Sequence, residues 1–298
     1  MPTLSVNGTT LAYDDVGPRD ATALVFSHSL FFDRTMFRHQ VERFSREYRV
    51  ITYDHRGQGG SAPSAAASLD METLSEDAAA LIEALGAGPC HVVGNSLGGF
   101  IALRLAARRP DLVRSAAALG SSAEEEHKIA EFDPLVQELR ANGTRKVVDA
   151  VMYIMLGDAT LADPEKKELR EHWRGYIERL PPSIGDAAHA VVHRRSVLDE
   201  LSRARVPVLA VAGEEDHAYP PPLSERIAET APDGRCAVVP RAGHSVALEQ
   251  PDPVNAHLAA HFAAVDGASG PGGRPGGVTR RRRPGPLRRR SGCGPPPR

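Results

Sequence analysis

Apolar runs and amphipathic stretches alternate along the first 120 residues. Leu4–Val6 and Thr9–Tyr13 alternate apolar and polar side chains around Asn7-Gly8, the residue pair that a type I′ hairpin turn favours. Ala23–Ser27, Arg49–Tyr53, Cys90–Val93 and Val113–Leu119 are short apolar-rich runs, the pattern of strands buried on both faces. Helical periods separate them. One spans Arg34–Ser45. A second, Leu69–Leu85, sets Leu74, Ala78, Leu81, Ile82 and Leu85 on one face before Gly86. A third, Leu97–Arg108, is stopped by Pro110. Strands joined by helices pair in parallel through right-handed crossovers, with helices covering both faces of the sheet.

The alternation breaks after Gly120. From Ser121 to Arg205 the pattern is helical and charged, with segments at Phe132–Asn142, Arg145–Leu156, Pro164–Arg179 and Ile184–Arg203. It then resumes as a strand (Val206–Ala212), a helix (Pro222–Glu229), a strand (Cys236–Val239) and a helix (Glu249–Val265). The expected fold is α/β, an eight-stranded, mostly parallel sheet formed by residues 1–120 and 206–265. Residues 121–205 then form an inserted helical lid, since long insertions at a sheet's carboxyl edge shape a site there.

Composition changes this picture at one end. Residues 267–298 hold nine of the 36 basic side chains and no acid, leaving 27 basic against 38 acidic in the remainder. An acidic folded part argues against nucleic acid as its partner. Residues 266–298, rich in Arg, Gly and Pro, lack periodicity and are expected to be a disordered tail. That tail is expected to be solvated or an extension from reading past the usual stop, with an electrostatic contact to nucleic acid or anionic lipid as the lesser alternative. Cys90, Cys236 and Cys293 follow no disulfide or zinc spacing; Cys90 and Cys236 open apolar runs, as small buried hydrophobes do. No stretch approaches a membrane span and no secretory leader is visible at Met1, so the expected location is cytoplasmic, as a monomer or homodimer.

The chemistry gathers where the third apolar run meets a helix, at His91-Val-Val-Gly94-Asn95-Ser96-Leu97-Gly98-Gly99. Gly-x-Ser-x-Gly between a strand and a helix is the nucleophile-elbow pattern, with small neighbours required because side chains would collide across the turn. A serine nucleophile needs a base and a group to orient that base. Gly213-Glu-Glu-Asp216 follows one later strand and Ala242-Gly243-His244 follows the next, which sets all three residues on one sheet edge. Ser96 is therefore the expected nucleophile, His244 the base and Asp216 the orienting acid. Glu124, Glu125 and Glu126, just past another strand, offer an alternative acid.

These motifs, with Asp54-His-Arg56-Gly57-Gln-Gly59-Gly-Ser61, Phe-Ser-His28-Ser29-Leu30 and Glu249-Gln-Pro251, resemble the α/β-hydrolase superfamily from residue 4 to about 265. The chain looks most like the bacterial group of 3-oxoadipate enol-lactonases, cofactor-free haloperoxidases and esterases. The resemblance implies a cofactor-free enzyme that cleaves a small-molecule ester or lactone. It also implies an oxyanion hole from the backbone N–H groups of Leu30 and Leu97, although Ser29 stands where most relatives have glycine. Hydrolysis of a C–C bond and haloperoxidase-like chemistry remain alternatives with the same triad. A ligand-binding receptor on this scaffold is the reading from another class.

Other side chains are less defined. His28, Phe31, Met152, Trp173 and His217 are expected to line a substrate pocket, and Phe32, Met155 and Tyr176 are further candidates. Arg174, Arg194 and Arg195 are either solvated or available to a substrate carboxylate. His189-x₃-His193 and His257-x₃-His261 have a zinc-like i, i+4 spacing, but neither carries a glutamate between and no third ligand stands near, so no metal is expected. Asp54 and Arg56 read as an ion pair that holds the Gly-rich turn.

Overall fold

The strands lie close to where the hydrophobic pattern sets them. The computed structural model describes residues 1–268. Its strands are Thr3–Val6 (β1), Thr9–Val16 (β2), Ala23–Ser27 (β3), Arg49–Tyr53 (β4), Cys90–Asn95 (β5), Val113–Leu119 (β6), Val208–Gly213 (β7) and Gly234–Val239 (β8). They form one sheet in the order β1-β2-β4-β3-β5-β6-β7-β8. β1 and β2 join antiparallel through a turn in which Asn7 and Gly8 both take positive φ, 44° and 71°. β2 also runs antiparallel to β4, and every later pairing is parallel.

Every residue of β3, β4, β5 and β7 is buried, which accounts for their nearly continuous apolar runs. β8 is an edge strand, and Cys236 on it is exposed rather than a buried hydrophobe. Cys90, inside the sheet, is buried, and burial pushes its thiol up to about 12.

The helices are Arg38–Phe44 (α1), Met71–Ala84 (α2), Leu97–Arg108 (α3), Ile129–Asn142 (α4), Val148–Met155 (α5), Asp158–Ala162 (α6), Lys167–Ile177 (α7), Ile184–Val192 (α8), Leu198–Leu201 (α9), Pro221–Thr230 (α10), Val246–Glu249 (α11) and Pro251–Ala268 (α12). Helices α4 to α9 lie between β6 and β7, and among the described residues no strand interrupts them. The helical period expected over 184–203 divides in two. Between its halves Val197 donates its N–H to Ala123 O at 2.8 Å and Ser196 Oγ donates to the same carbonyl, so the β6 loop replaces the helical ladder. The short α6 follows Gly157 and was hidden by its length.

Residues 266–268, assigned to the tail by composition, continue α12 instead. Asp266 there accepts a hydrogen bond from Tyr48 Oη at 3.2 Å and lies 3.3 Å from His91 Nε2, tying the last turn to the sheet. The rest of the expected tail, with Cys293, lies outside the described residues. Among the described residues no helix is long and apolar enough to cross a membrane.

β3 is flanked by β4 and β5, so the chain leaves β3 toward one side of the sheet and β5 toward the other. Such a switch point opens a crevice at the carboxyl ends of the strands. Ser27 pairs with Gly94 across it, bringing the loop that begins at His28 beside the turn at Ser96.

Candidate active site

Ser96 sits between β5 and α3 with φ 53° and ψ −113°, a left-handed backbone that costs a non-glycine residue about 1–3 kcal/mol. The packing around it leaves no alternative. A Cβ on Gly94 would lie 1.9 Å from the Gly98 carbonyl oxygen, and one on Gly98 would lie 1.9 Å from that of Ser27. Glycine at both positions lets α3 start directly against β5 and β3. The Ser96 N–H donates to Leu119 O at 2.9 Å, and its carbonyl accepts from Ser121 Oγ at 3.1 Å.

Asp216 follows β7 in a tight turn. Its Oδ1 accepts the N–H groups of Ala218 and Tyr219, each at 2.8 Å. His244 Nδ1 lies 3.1 and 3.0 Å from the two carboxylate oxygens, and both side chains are buried. A carboxylate only accepts, so the imidazole proton is fixed on Nδ1 and Nε2 keeps its lone pair. Ser96 and His244 line the same cavity, and among the described residues no hydrogen bond joins their side chains directly. Two further contacts set the histidine loop. Asn95 Nδ2 donates to the His244 carbonyl at 3.0 Å. Buried Glu249 accepts from Gly243 N at 3.0 Å, Ser245 N at 3.1 Å and Gly157 N at 2.8 Å, and burial raises its carboxyl above the ordinary range.

The loop after β3 is locked by two buried histidines. His28 Nδ1 donates to Ser29 O at 2.8 Å while its Nε2 accepts from His55 N at 3.1 Å, and His55 Nε2 donates back to His28 O at 3.0 Å. Burial lowers His28 to about 4 and His55 well below its ordinary value, so both rings are neutral. Among the described residues the N–H groups of Leu30, on this loop, and Leu97, at the start of α3, have no hydrogen-bond partner.

The cavity above Ser96 encloses about 510 Å³ including its mouth. Phe31 and Met155 line it as expected, but the other six pocket candidates lie elsewhere, Tyr176 beside Asp33 and the Gly57–Gly60 turn. His28 is spent on the loop lock. Met152 borders a separate groove on the far side of α5. Trp173 packs edge-on against Phe32, ring centroids 4.7 Å apart. His217 stacks on Tyr153 at 4.1 Å and donates Nδ1–H to its carbonyl at 2.7 Å. The main wall is instead Phe132, Leu135, Val136 and Leu139 of α4. Their i, i+3, i+4, i+7 spacing is a sequence signal for one apolar face.

Several charged candidates are also reassigned. Glu126 Oε2 accepts from Arg194 Nη1 at 3.1 Å and from Tyr219 Oη at 3.0 Å, so it does not reach His244 as an alternative acid. Glu124 contacts His127 and Arg226. Arg194 is therefore neither solvated nor open to a substrate, and Arg174 pairs with Asp149. Asp54 and Arg56 do not pair with each other. Asp54 pairs with Arg34 and caps the Gly60 N–H at 2.8 Å, while Arg56 grips Asp77 on α2. His189 and His193 stack at 4.2 Å, and among the described residues no cluster of three metal-ligating side chains occurs.

The α/β hydrolase fold family matches residues 22–251. The protein named as a non-heme bromoperoxidase, BpoC, of Mycobacterium tuberculosis is 30% identical over 266 residues, covering 86% of this chain and 98% of that one. Two solved structures are each 26% identical. The enol-lactonase of Burkholderia xenovorans superimposes with a TM-score of 0.81 over 88% of this chain and all of its own. A thermophilic esterase from Thermogutta terrifontis gives 0.80 over 89% of this chain and 99% of its own. With a match that begins before β3 and runs past α11, over the strands that carry Ser96, Asp216 and His244, this chain belongs to the α/β hydrolase fold family.

Proposed function

We propose that the protein is a serine hydrolase that cleaves small carboxylic esters or lactones through an acyl-enzyme. The observation that carries this is the Asp216–His244 pair, 3.0 Å apart, whose imidazole lines the same cavity as Ser96. Asp216 holds the imidazole with its proton on Nδ1, so Nε2 accepts the Ser96 hydroxyl proton as Oγ attacks the substrate carbonyl. The negative charge that develops on the carbonyl oxygen falls to the N–H groups of Leu30 and Leu97. These donors need no reorganisation, and losing one in such a site costs about 10²–10³ in rate. The imidazolium then protonates the leaving alcohol, or the freed hydroxyl end of an opened lactone. Water, deprotonated by His244, attacks the acyl carbon and releases Ser96.

In this reading helices α4 to α8 act as a cap. They supply the apolar wall and exclude bulk water, which strengthens the hydrogen bonds at the reacting carbonyl. A panel of p-nitrophenyl esters and aliphatic lactones, run with the intact protein and Ser96→Ala, tests it. Steady multiple turnover that Ser96→Ala abolishes is the expected result. A single burst without turnover would favour a receptor, and equal turnover by Ser96→Ala would overturn the proposal.

A further inference from the structure

Behind the wall of the cavity lies a complete buried charge pair that the proposed chemistry does not use. Arg194, just past α8, has a side chain 2% exposed, and that of Glu126 is 5% exposed. The guanidinium lies 4.3 Å from the Phe100 ring centroid and 5.1 Å from that of Tyr219, and donates to Val191 O at 3.0 Å and Tyr219 Oη at 3.1 Å. Tyr219 and Val191 themselves line the cavity. Glu126 Oε2 takes a hydrogen bond from Arg194 and another from Tyr219. One carboxylate thus cancels the cation and turns the phenol away from the substrate space.

The cavity lining holds no Asp, Glu, Lys or Arg, and α4, α5 and α8 contribute apolar residues alone. We propose that Glu126 sets the charge selectivity of this site: by masking Arg194 it restricts the cavity to uncharged substrates whose bound arm is a hydrocarbon chain. This rests on the reading of Ser96 as the nucleophile. An arm ending in a carboxylate finds no exposed counter-charge, and beyond Tyr219 it meets the like charge of Glu126. An apolar arm gains from each methylene it buries. Removing the charge of Glu126 while keeping an oxygen acceptor leaves Arg194 uncompensated one side chain from the substrate, where it attracts an anion.

The test compares p-nitrophenyl hexanoate with the mono-p-nitrophenyl ester of adipic acid, whose chain ends in a carboxylate. Wild type is expected to favour the neutral ester by roughly 100-fold or more in kcat/KM, because an unpaired charge is costly to bury. From acetate to hexanoate, kcat/KM is expected to rise about fourfold per methylene. Glu126→Gln is expected to narrow the neutral-to-anionic ratio about tenfold through a lower KM for the anionic ester. A merely structural role would lower both activities together and leave the ratio unchanged. The double variant Glu126→Gln/Arg194→Gln, which removes both charges, is expected to restore the wild-type ratio. A wild-type ratio near one, or a ratio that Glu126→Gln does not move, overturns the proposal.

Binding to Ser96→Ala reads the same preference without turnover and without altering Glu126. Hexanamide is expected to raise its melting temperature at pH 8, and hexanoate is expected not to. Equal stabilisation by hexanoate contradicts the charge assignment. Preference for the amide in a protein that hydrolyses no ester contradicts the hydrolase reading and leaves the selectivity standing.

Discussion

Glu249 grips His244 from both sides: one carboxylate oxygen accepts the N–H of Gly243 at 3.0 Å and that of Ser245 at 3.1 Å. Its other oxygen takes the N–H of Gly157, in the connection between α5 and α6. The residue that sets the histidine loop is thus also an anchor of the inserted helices.

Glu249→Gln tests that anchor. An amide offers one acceptor oxygen, so its NH₂ must face a backbone donor that is left unpaired. The expected cost is about 1–3 kcal/mol of stability, read by urea denaturation. Misplacement of the imidazole is expected to lower kcat roughly tenfold or more with KM little changed. Wild-type kcat in a folded Glu249→Gln variant would show that His244 is held by other contacts.

The backbone at Ser96 predicts a stability gained at the expense of activity. Glycine adopts positive φ without the steric cost that any Cβ carries. Ser96→Gly and Ser96→Ala both remove the hydroxyl, yet the glycine variant is expected to be more stable than the alanine variant by about 1 kcal/mol. Equal melting of the two would mean the turn is not strained.

The buried histidine lock predicts an acid-sensitive fold. Burial holds His28 at about 4 against 6.5 for a free imidazole. Between these values the unfolded chain binds the proton and the folded chain does not. Stability is therefore lost as pH falls from 6.5 toward 4, by up to about 3 kcal/mol for this one group. Urea denaturation at pH 4.5, 5.5, 6.5 and 7.5 is expected to show that decline. His28→Asn, at lower overall stability, is expected to flatten its slope by up to about one proton's worth, roughly 1.4 kcal/mol per pH unit. An unchanged slope in His28→Asn would mean that His28 carries no such linkage.

The middle of the sheet was legible in the sequence because strands β3 to β7 are buried on both faces, and a continuous apolar run such as Cys90–Val93 has few other homes. Ser96 was legible because a strained turn demands Gly94 and Gly98 within four residues, a purely local constraint. Asp216 and His244 could be found because each follows a strand end, so topology alone sets them on one edge. Glu249 could not be assigned its role, since its partners are backbone N–H groups that carry no sequence identity. The Glu126–Arg194 pair was equally hidden, its members 68 residues apart and each ordinary alone. In the inserted helices periodicity marked helical segments without saying which of their faces line the cavity. Trp173 therefore packs on Phe32, while the stripe from Phe132 to Leu139 forms the wall.

In the proposed mechanism Ser96 Oγ is the nucleophile and His244 activates it. The most direct measurement is intact-mass analysis after incubation with a fluorophosphonate, performed on wild type, Ser96→Ala and His244→Ala. One adduct per wild-type chain is expected, mapped by peptide digestion to Ser96, with none on Ser96→Ala and strongly slowed labelling of His244→Ala. An adduct on a different residue, or wild-type labelling of the Ser96→Ala protein, would contradict it.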